Sequence, residues 1–269
     1  MTTFDQSIYR AYNLDLQKLD PVELLRHFES HGDESRIYGS TSSTSEFLSM
    51  RWIRGLGVEI GAGSRPTPLF GNAQTILGDC DSTLAFGGQR VDLAGSIDDP
   101  SFSAKNRGRF DFAIASHVLE HTDSFLRAVE NLLSITKIGG TVYIVLPDIE
   151  GLIDKNWLPY FDFSHHVSEY RSPLIYAELH DQLYVDGCGE GIFSTNEVAV
   201  LSPEYQDSVR RGQIPTELRF LHHKHNYSFD GWLDIFHRTR EYLGGRFKFL
   251  DIHYGHERAD CHFVLRVES

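Results

Sequence analysis

GVEIGAGSRPTPLF, residues 57–70, reads as a buried strand running into a glycine-rich turn, with one carboxylate held just ahead of the turn. Val58 and Ile60 suit a central strand, while Gly61 and Gly63 let the backbone turn sharply and approach a ligand where any Cβ would collide. Ser64 and Pro66 then suit the cap and first turn of a helix. The stretch is a nucleotide-binding corner. In a dinucleotide site a third glycine would stand where Pro66 does and the helix start would receive a pyrophosphate, an anion to which Glu59 is poorly suited. A carboxylate there suits a cationic ligand, such as a sulfonium with an α-amino group.

Outward from this corner the pattern repeats. Residues 74–77 form a second apolar run ending in Gly78-Asp79-Cys80-Asp81, so a carboxylate follows the glycine turn by about 20 residues, the distance at which a ribose diol is held. Asp79 is the first choice for that contact and Asp81 the second. A third run, RVDL at 90–93, carries Asp92 where an adenine amino group would lie. FDFAIAS at 110–116 is a strand pattern with small residues at its carboxyl end. The segment after it predicts a helix from the spacing of Leu126, Val129, Leu132 and Leu133, stopping at Gly139-Gly140, and TVYIVLP at 141–147 is another buried strand.

The order EIGAGSRP, LGDCDS, VDL, FDFAIASHVLEH, KIGGTVYIVLPD resembles the class I S-adenosylmethionine-dependent methyltransferases, specifically the subgroup with V-L-E-H after the fourth strand. The resemblance covers roughly residues 50 to 150. It implies that Glu59, Gly61, Ala62 and Gly63 surround the methionine part of the cofactor. It implies as well that Asp79 and Cys80 meet the ribose, that Asp92 and Leu93 meet the adenine, and that Ser116 and His117 form the mouth of the site. The cofactor so implied is S-adenosylmethionine, leaving as S-adenosylhomocysteine.

Length and composition agree. A chain of 269 residues is long enough for one α/β domain with a sizeable insertion, and 41% hydrophobic with 23% charged residues is ordinary for a globular protein in water. The formal charge of −13 argues against a nucleic-acid partner, whose phosphates would be repelled. Three scattered cysteines make neither a disulfide framework nor a zinc cluster, and the amino terminus shows no secretory pattern. No run approaches the length of a membrane span, so the expectation is a cytoplasmic protein with no membrane partner. Its oligomeric state is not read from the chain.

The expected fold is α/β, doubly wound, with a mostly parallel seven-stranded Rossmann-like sheet. Its expected divisions are an N-terminal helical cap over 1–50, a cofactor-binding core over 51–148, an inserted acceptor lobe over 149–240, and strands over 241–269 that complete the sheet. The cap includes an amphipathic helix at Pro21–Ser30. The lobe is rich in aromatics and histidines, and Asp148, Asp154, His165-His166 and His223 with His225 resemble in order the P-D-K-R-x-x-F-D, E-H-L and H-x-H motifs of methyltransferase-like bacterial proteins found beside sugar-processing enzymes. Ile149 and Glu150 replace the basic pair of that pattern.

Methyl transfer from a sulfonium is an in-line displacement in which the protein positions the acceptor and removes its proton. A hydroxyl acceptor needs a base, and a histidine with a reference pKa of about 6.5 is suited to the task. His117 is placed for the donor side; His165, His166, His223 and His225 are candidates on the acceptor side. The same groups allow a second role, since Asp148 or Asp154 with His165, His223 and His225 contain the donors of a divalent-metal site. The expected reaction is O-methylation of a sugar-like or glycosylated small molecule. Alternatives are N- or carboxyl-methylation of a small metabolite, or a non-catalytic S-adenosylmethionine-binding protein.

Overall fold

The computed structural model describes residues 18–23, 26–27, 43–62, 66–80, 91–149, 161–173, 175, 177–180, 223–255 and 259–269. Seven strands form one sheet: β1 (Leu56–Ile60), β2 (Gln74–Asp79), β3 (Leu93–Ala94), β4 (Phe110–Ser116), β5 (Thr136–Pro147), β6 (Phe247–Gly255) and β7 (Asp260–Val267). Their spatial order is β3-β2-β1-β4-β5-β7-β6. The pairs β2–β3, β1–β2, β1–β4 and β4–β5 are parallel, while β7 runs antiparallel to both β5 and β6. Strand order therefore reverses between β1 and β4, and a doubly wound sheet opens its ligand crevice at the carboxyl ends of such a pair. The sheet is the mostly parallel, Rossmann-like one expected.

Alternation along the central strands supplies two cores, because successive side chains point to opposite faces. Phe110, Ala113 and Ala115 of β4 and Val142, Ile144 and Leu146 of β5 face the larger core, while Phe112, Ile114, Tyr143 and Val145 face the smaller one. Helix α1 (Ser43–Trp52) covers the smaller core with Leu48; α2 (Pro100–Asn106) packs with α3 (Phe125–Ile135) over the larger. Helix α3 buries Phe125, Leu126, Ala128, Val129, Leu132 and Leu133, each worth about 1.5–3 kcal/mol except the alanine. Helix α5 (Phe229–Tyr242) adds Trp232, Ile235 and Phe236 to the same core, and the Trp232 indole N–H donates to the Pro147 carbonyl at 2.9 Å. A short helix, α4 (Phe163–Arg171), lies against α3 and is capped by Asp162, whose side chain accepts from the His165 N–H.

Two local expectations are corrected. The α3 helix ends at Ile135, and Thr136–Gly140 already pairs as β5, with Phe110 opposite Thr136 and a bulge before Phe112. Nor do residues 66–70 start a helix. Pro68 disfavours helical backbone at Thr67, and Glu59 holds the Thr67 N–H and hydroxyl. Of the expected N-terminal helix, residues 21–23 and 26–27 are helical and the remainder lies outside the described residues, as does most of residues 149–222.

Asn131, fully within α3, donates its amide to the carbonyls of Ile97 (2.6 Å) and Asp99 (3.0 Å), fastening the loop after β3 to the core. Asn131→Ala leaves the buried Ile97 carbonyl and the partly buried Asp99 carbonyl without that donor. It should destabilise the protein by about 1–3 kcal/mol in urea unfolding, with α3 helicity retained.

Candidate functional site

The crevice between β1 and β4 is shaped by a close contact. Gly61 has φ of 67°, a conformation that disfavours any side chain, and a Cβ built on it would lie 2.5 Å from Val118 Cγ2. Its N–H donates to the Gly78 carbonyl at 2.8 Å, so the turn is tied to the end of β2 as well. Ala62 follows within the described turn; Gly63 and Asp81 lie outside the described residues.

Glu59 is 1% exposed, and its carboxylate accepts from the Thr67 N–H (2.9 and 3.0 Å) and the Thr67 hydroxyl (2.7 Å). Burial raises its pKa, and the Thr67 hydrogen bonds only partly oppose that rise. The residue thus clamps the segment behind the glycine turn. Asp79, at the end of β2, accepts from the Cys80 N–H at 2.7 Å, with the Cys80 thiol at 3.3 Å. Asp92 is exposed at the start of β3, where its backbone N–H donates to the Leu77 carbonyl at 2.8 Å. Leu93 pairs with Gly78, and Ser116 ends β4. These residues line up along the carboxyl ends of β1, β2 and β4 and at the start of β3, which pairs with the end of β2.

His117, immediately after β4, stands in the left-handed region at φ 54° and is 42% exposed. Its Nδ1 lies 3.4 Å from Glu120 Oε1 and its Nε2 3.4 Å from Asp260 Oδ1. Burial works to lower its pKa, but hydrogen bonds and charge from Asp260 and Glu120 outweigh that and push it up to about 10. His117, expected on the donor side of the site, thus has its ring between two carboxylates that favour its protonated form.

Glu120 is fully buried, and its Oε1 has His117 Nδ1 at 3.4 Å and His121 Nε2 at 3.9 Å. Burial would raise its pKa, yet His117 and the neighbouring imidazoles hold it below the usual carboxylate value. Around it stand His121 and His223, whose rings are 4.7 Å apart, and the donor atoms of the three residues all fall within 4.8 Å of one another. His223 is half-buried, and burial lowers its pKa to about 4. The segment reaches this position because the N–H groups of Lys224 and His225 donate to the Glu120 carbonyl at 2.7 and 3.1 Å. Lys224 is itself buried and paired with Asp123.

The remaining expected residues separate from this set. His166 and His225 are fully buried; His166 bridges Glu169 (3.1 Å) and the Tyr227 hydroxyl (2.7 Å), and His225 Nε2 sits 2.6 Å from Glu169. Neither has a surface to offer an acceptor, which removes both as bases. His165 also turns to Glu169, at 2.6 Å. Asp148 is buried beside the start of α5, accepting from the Phe229 N–H at 3.3 Å, so it is not grouped with the histidines; Asp154 lies outside the described residues. The sequence reading passed over Glu169 and His180. His165 and Glu169 are four residues apart on α4, a spacing that places two side chains on one helical face and was the available signal.

Residues 48–182 match the family model described as a methyltransferase domain. The chain belongs to this methyltransferase family. It is an enzyme, and its methyl donor is S-adenosylmethionine. The methyltransferase is similar to the CurJ carbon methyltransferase (14% identity, 98% of this chain and 66% of that one, TM-score 0.41). It is similar as well to an S-adenosylmethionine-dependent methyltransferase of Thermotoga maritima (14%, 97% and 100%, TM-score 0.42). A third is an S-adenosylmethionine-dependent methyltransferase of Mesorhizobium loti (11%, 85% and 98%, TM-score 0.44). No curated protein matches the sequence. No helix among the described residues is long and apolar enough to cross a membrane.

Gly61→Val should abolish S-adenosylhomocysteine binding in calorimetry while far-ultraviolet dichroism stays native, since both the φ and the Val118 contact forbid the new side chain. Because the folded pKa of His117 is raised, its stabilisation is complete below about pH 6.5 and is lost as pH rises through about 10. The difference in melting temperature between the native protein and His117→Gln should shrink over that window. Asp260→Asn should move the ring's titration, followed by NMR, to lower pH.

Proposed function

We propose that this methyltransferase moves the methyl group of S-adenosylmethionine to a hydroxyl of a sugar-like or glycosylated small molecule, with His223 taking the hydroxyl proton. The observation that carries the reading is the grouping of Glu120, His121 and His223 beside His117, at the mouth of the β1–β4 crevice. There a half-buried imidazole stands next to a buried carboxylate. A hydroxyl is a poor nucleophile until its proton leaves; the burial that lowers the His223 pKa keeps its ring neutral and able to accept, and the Glu120 charge partly offsets the cost of the imidazolium that results.

In this reading the crevice holds the donor. Gly61 and Ala62 lie against its methionine part, Asp79 receives the ribose hydroxyls, and Asp92 with Leu93 borders the adenine. Glu59 keeps the Thr67 segment in place so that the turn presents its backbone to the ligand. The methyl carbon then points past Ser116 toward His223, and the acceptor oxygen attacks in line with the departing sulfur. His117 stays protonated between Glu120 and Asp260 and fixes the orientation of Glu120. The net charge of −13 favours an uncharged or cationic acceptor over a phosphate polymer.

The test is S-adenosylhomocysteine release with panels of free sugars, glycosides, amines and carboxylic acids. Glycosides or sugars should turn over, and His223→Ala should lower kcat by about 10²–10⁴ while leaving cofactor affinity within about twofold. If amines alone react and His223→Ala keeps its turnover, the hydroxyl assignment fails.

A further inference from the structure

Behind the crevice, on the far side of His225 from Glu120, four side chains converge on one point. His165 and Glu169 come from α4, His180 from the helical residues 177–180, and His225 from the segment leading to α5. Their donor atoms all lie within 4.8 Å of one another. Three imidazole Nε2 atoms surround a single carboxylate oxygen, Glu169 Oε1, at 2.6 Å (His165), 2.6 Å (His225) and 3.2 Å (His180). His165 Nε2 and His180 Nε2 are themselves 3.1 Å apart.

Hydrogen bonding alone accounts poorly for this arrangement. A carboxylate oxygen offers two lone-pair directions, and three N–H groups cannot all use them. If all three rings carried protons on both nitrogens, one carboxylate would face three cations in a buried space, which is costly. If the rings are neutral, at least one Nε2 lone pair is turned toward the oxygen. An ion at the centre resolves the conflict, since every inward nitrogen then donates its lone pair to the metal. With metal–nitrogen bonds of about 2.0–2.1 Å, the donors of a tetrahedral site lie about 3.3 Å apart. His180 already stands near that spacing from Glu169 Oε1 and from His165, and a withdrawal of Oε1 by less than about 1 Å from His165 and His225 would bring those two contacts to it.

The surroundings are those of a built site. Glu169 Oε2, the oxygen turned away from the cluster, accepts from His166 Nδ1 at 3.1 Å, and His166 Nε2 is 2.7 Å from the Tyr227 hydroxyl. This chain fixes the carboxylate from behind, as outer partners do for metal ligands. His180 Nδ1 looks toward Asp123 at 4.0 Å. Phe161 stacks on His165 with ring centroids 3.6 Å apart, and Phe125 packs against His166 and His225. The side chains of Glu169, His180 and His225 are at most 1% exposed.

We infer that His165, Glu169, His180 and His225 form a closed, four-ligand site for a divalent transition-metal ion, zinc first among them, that fastens the inserted segments to the methyltransferase core. Three imidazoles and one carboxylate suit zinc, and four protein donors with no open position mark a structural ion rather than one that activates the acceptor. The site keeps His165 and His225 of the metal set expected from sequence, takes Glu169 and His180 in place of the aspartates and His223, and stands independently of which acceptor is methylated.

The test uses the full chain purified without added metal. Plasma mass spectrometry should find roughly one zinc ion per chain, and chelation should lower the melting temperature, with zinc restoring it. Cobalt(II) added to the stripped protein should give the intense visible bands of tetrahedral coordination. Glu169→Gln and His180→Gln should each reduce bound metal at least tenfold, whereas His223→Gln, outside the four, should retain it. Calorimetric binding of S-adenosylhomocysteine on the same samples reports whether each variant is folded. The inference is overturned if the stripped native chain takes up neither zinc nor cobalt, or if metal is lost with His223→Gln and kept with Glu169→Gln.

Discussion

Two backbone hydrogen bonds, from the N–H groups of Lys224 and His225 to the carbonyl of Glu120, hold the histidine segment against the end of β4. They seat the half of the candidate site contributed after residue 222 directly on the half contributed by the sheet, and the Trp232–Pro147 and Phe229–Asp148 bonds continue the attachment into α5. The first two bonds reach a residue in a short 3₁₀ turn, Leu119–His121, that follows the left-handed His117. The turn exposes the Glu120 carbonyl to an outside donor while its side chain goes inward. Lys224 reinforces the junction by pairing with Asp123, so an otherwise expensive buried ammonium has its counter-charge in place.

From that junction the polar interior divides in two. On one side Glu120 collects His117, His121 and His223; on the other Glu169 collects His165, His166, His180 and His225. For Glu169, burial disfavours the charged form most strongly, yet the imidazoles around it hold its pKa well below the usual carboxylate value. Two buried carboxylates, each ringed by histidines, account for the clustering of histidines here, and His225 joins the two groups, its N–H on the Glu120 carbonyl and its ring on Glu169. The first group faces the crevice and includes a half-buried ring. The second is enclosed by Phe125 and Phe161.

The sheet was legible in the chain because its strands obey simple alternation: Val58 with Ile60, Phe112 with Ile114, and Val142 with Ile144 all sit in the strands that their pattern implied. Positions requiring glycine were legible for the same local reason, as Gly61 shows. Local patterns failed where a distant residue decided the outcome. Thr67 is kept out of a helix by Glu59 across the turn, and the proton on His117 is set by Asp260, 143 positions away in sequence, a residue with no motif of its own. The histidine pairs His165-His166 and His223-Lys224-His225 were visible, but which ring of each turned inward was not. That depends on α4 presenting Glu169, and on the register in which Lys224 and His225 meet Glu120.

The placement of β7 has a consequence for how the molecule is made. This strand, Asp260–Val267, comes last in chain order yet lies inside the sheet, between β5 and β6, and it supplies Cys261, Phe263 and Leu265 to the larger core and Val264 to the smaller. During synthesis β5 therefore has an unpaired edge until β7 has emerged, and β6 has no partner strand in the sheet before then. Closure of both cores waits on a strand translated after the other six, so in the interval the edge of β5 is open to misplaced strand pairing.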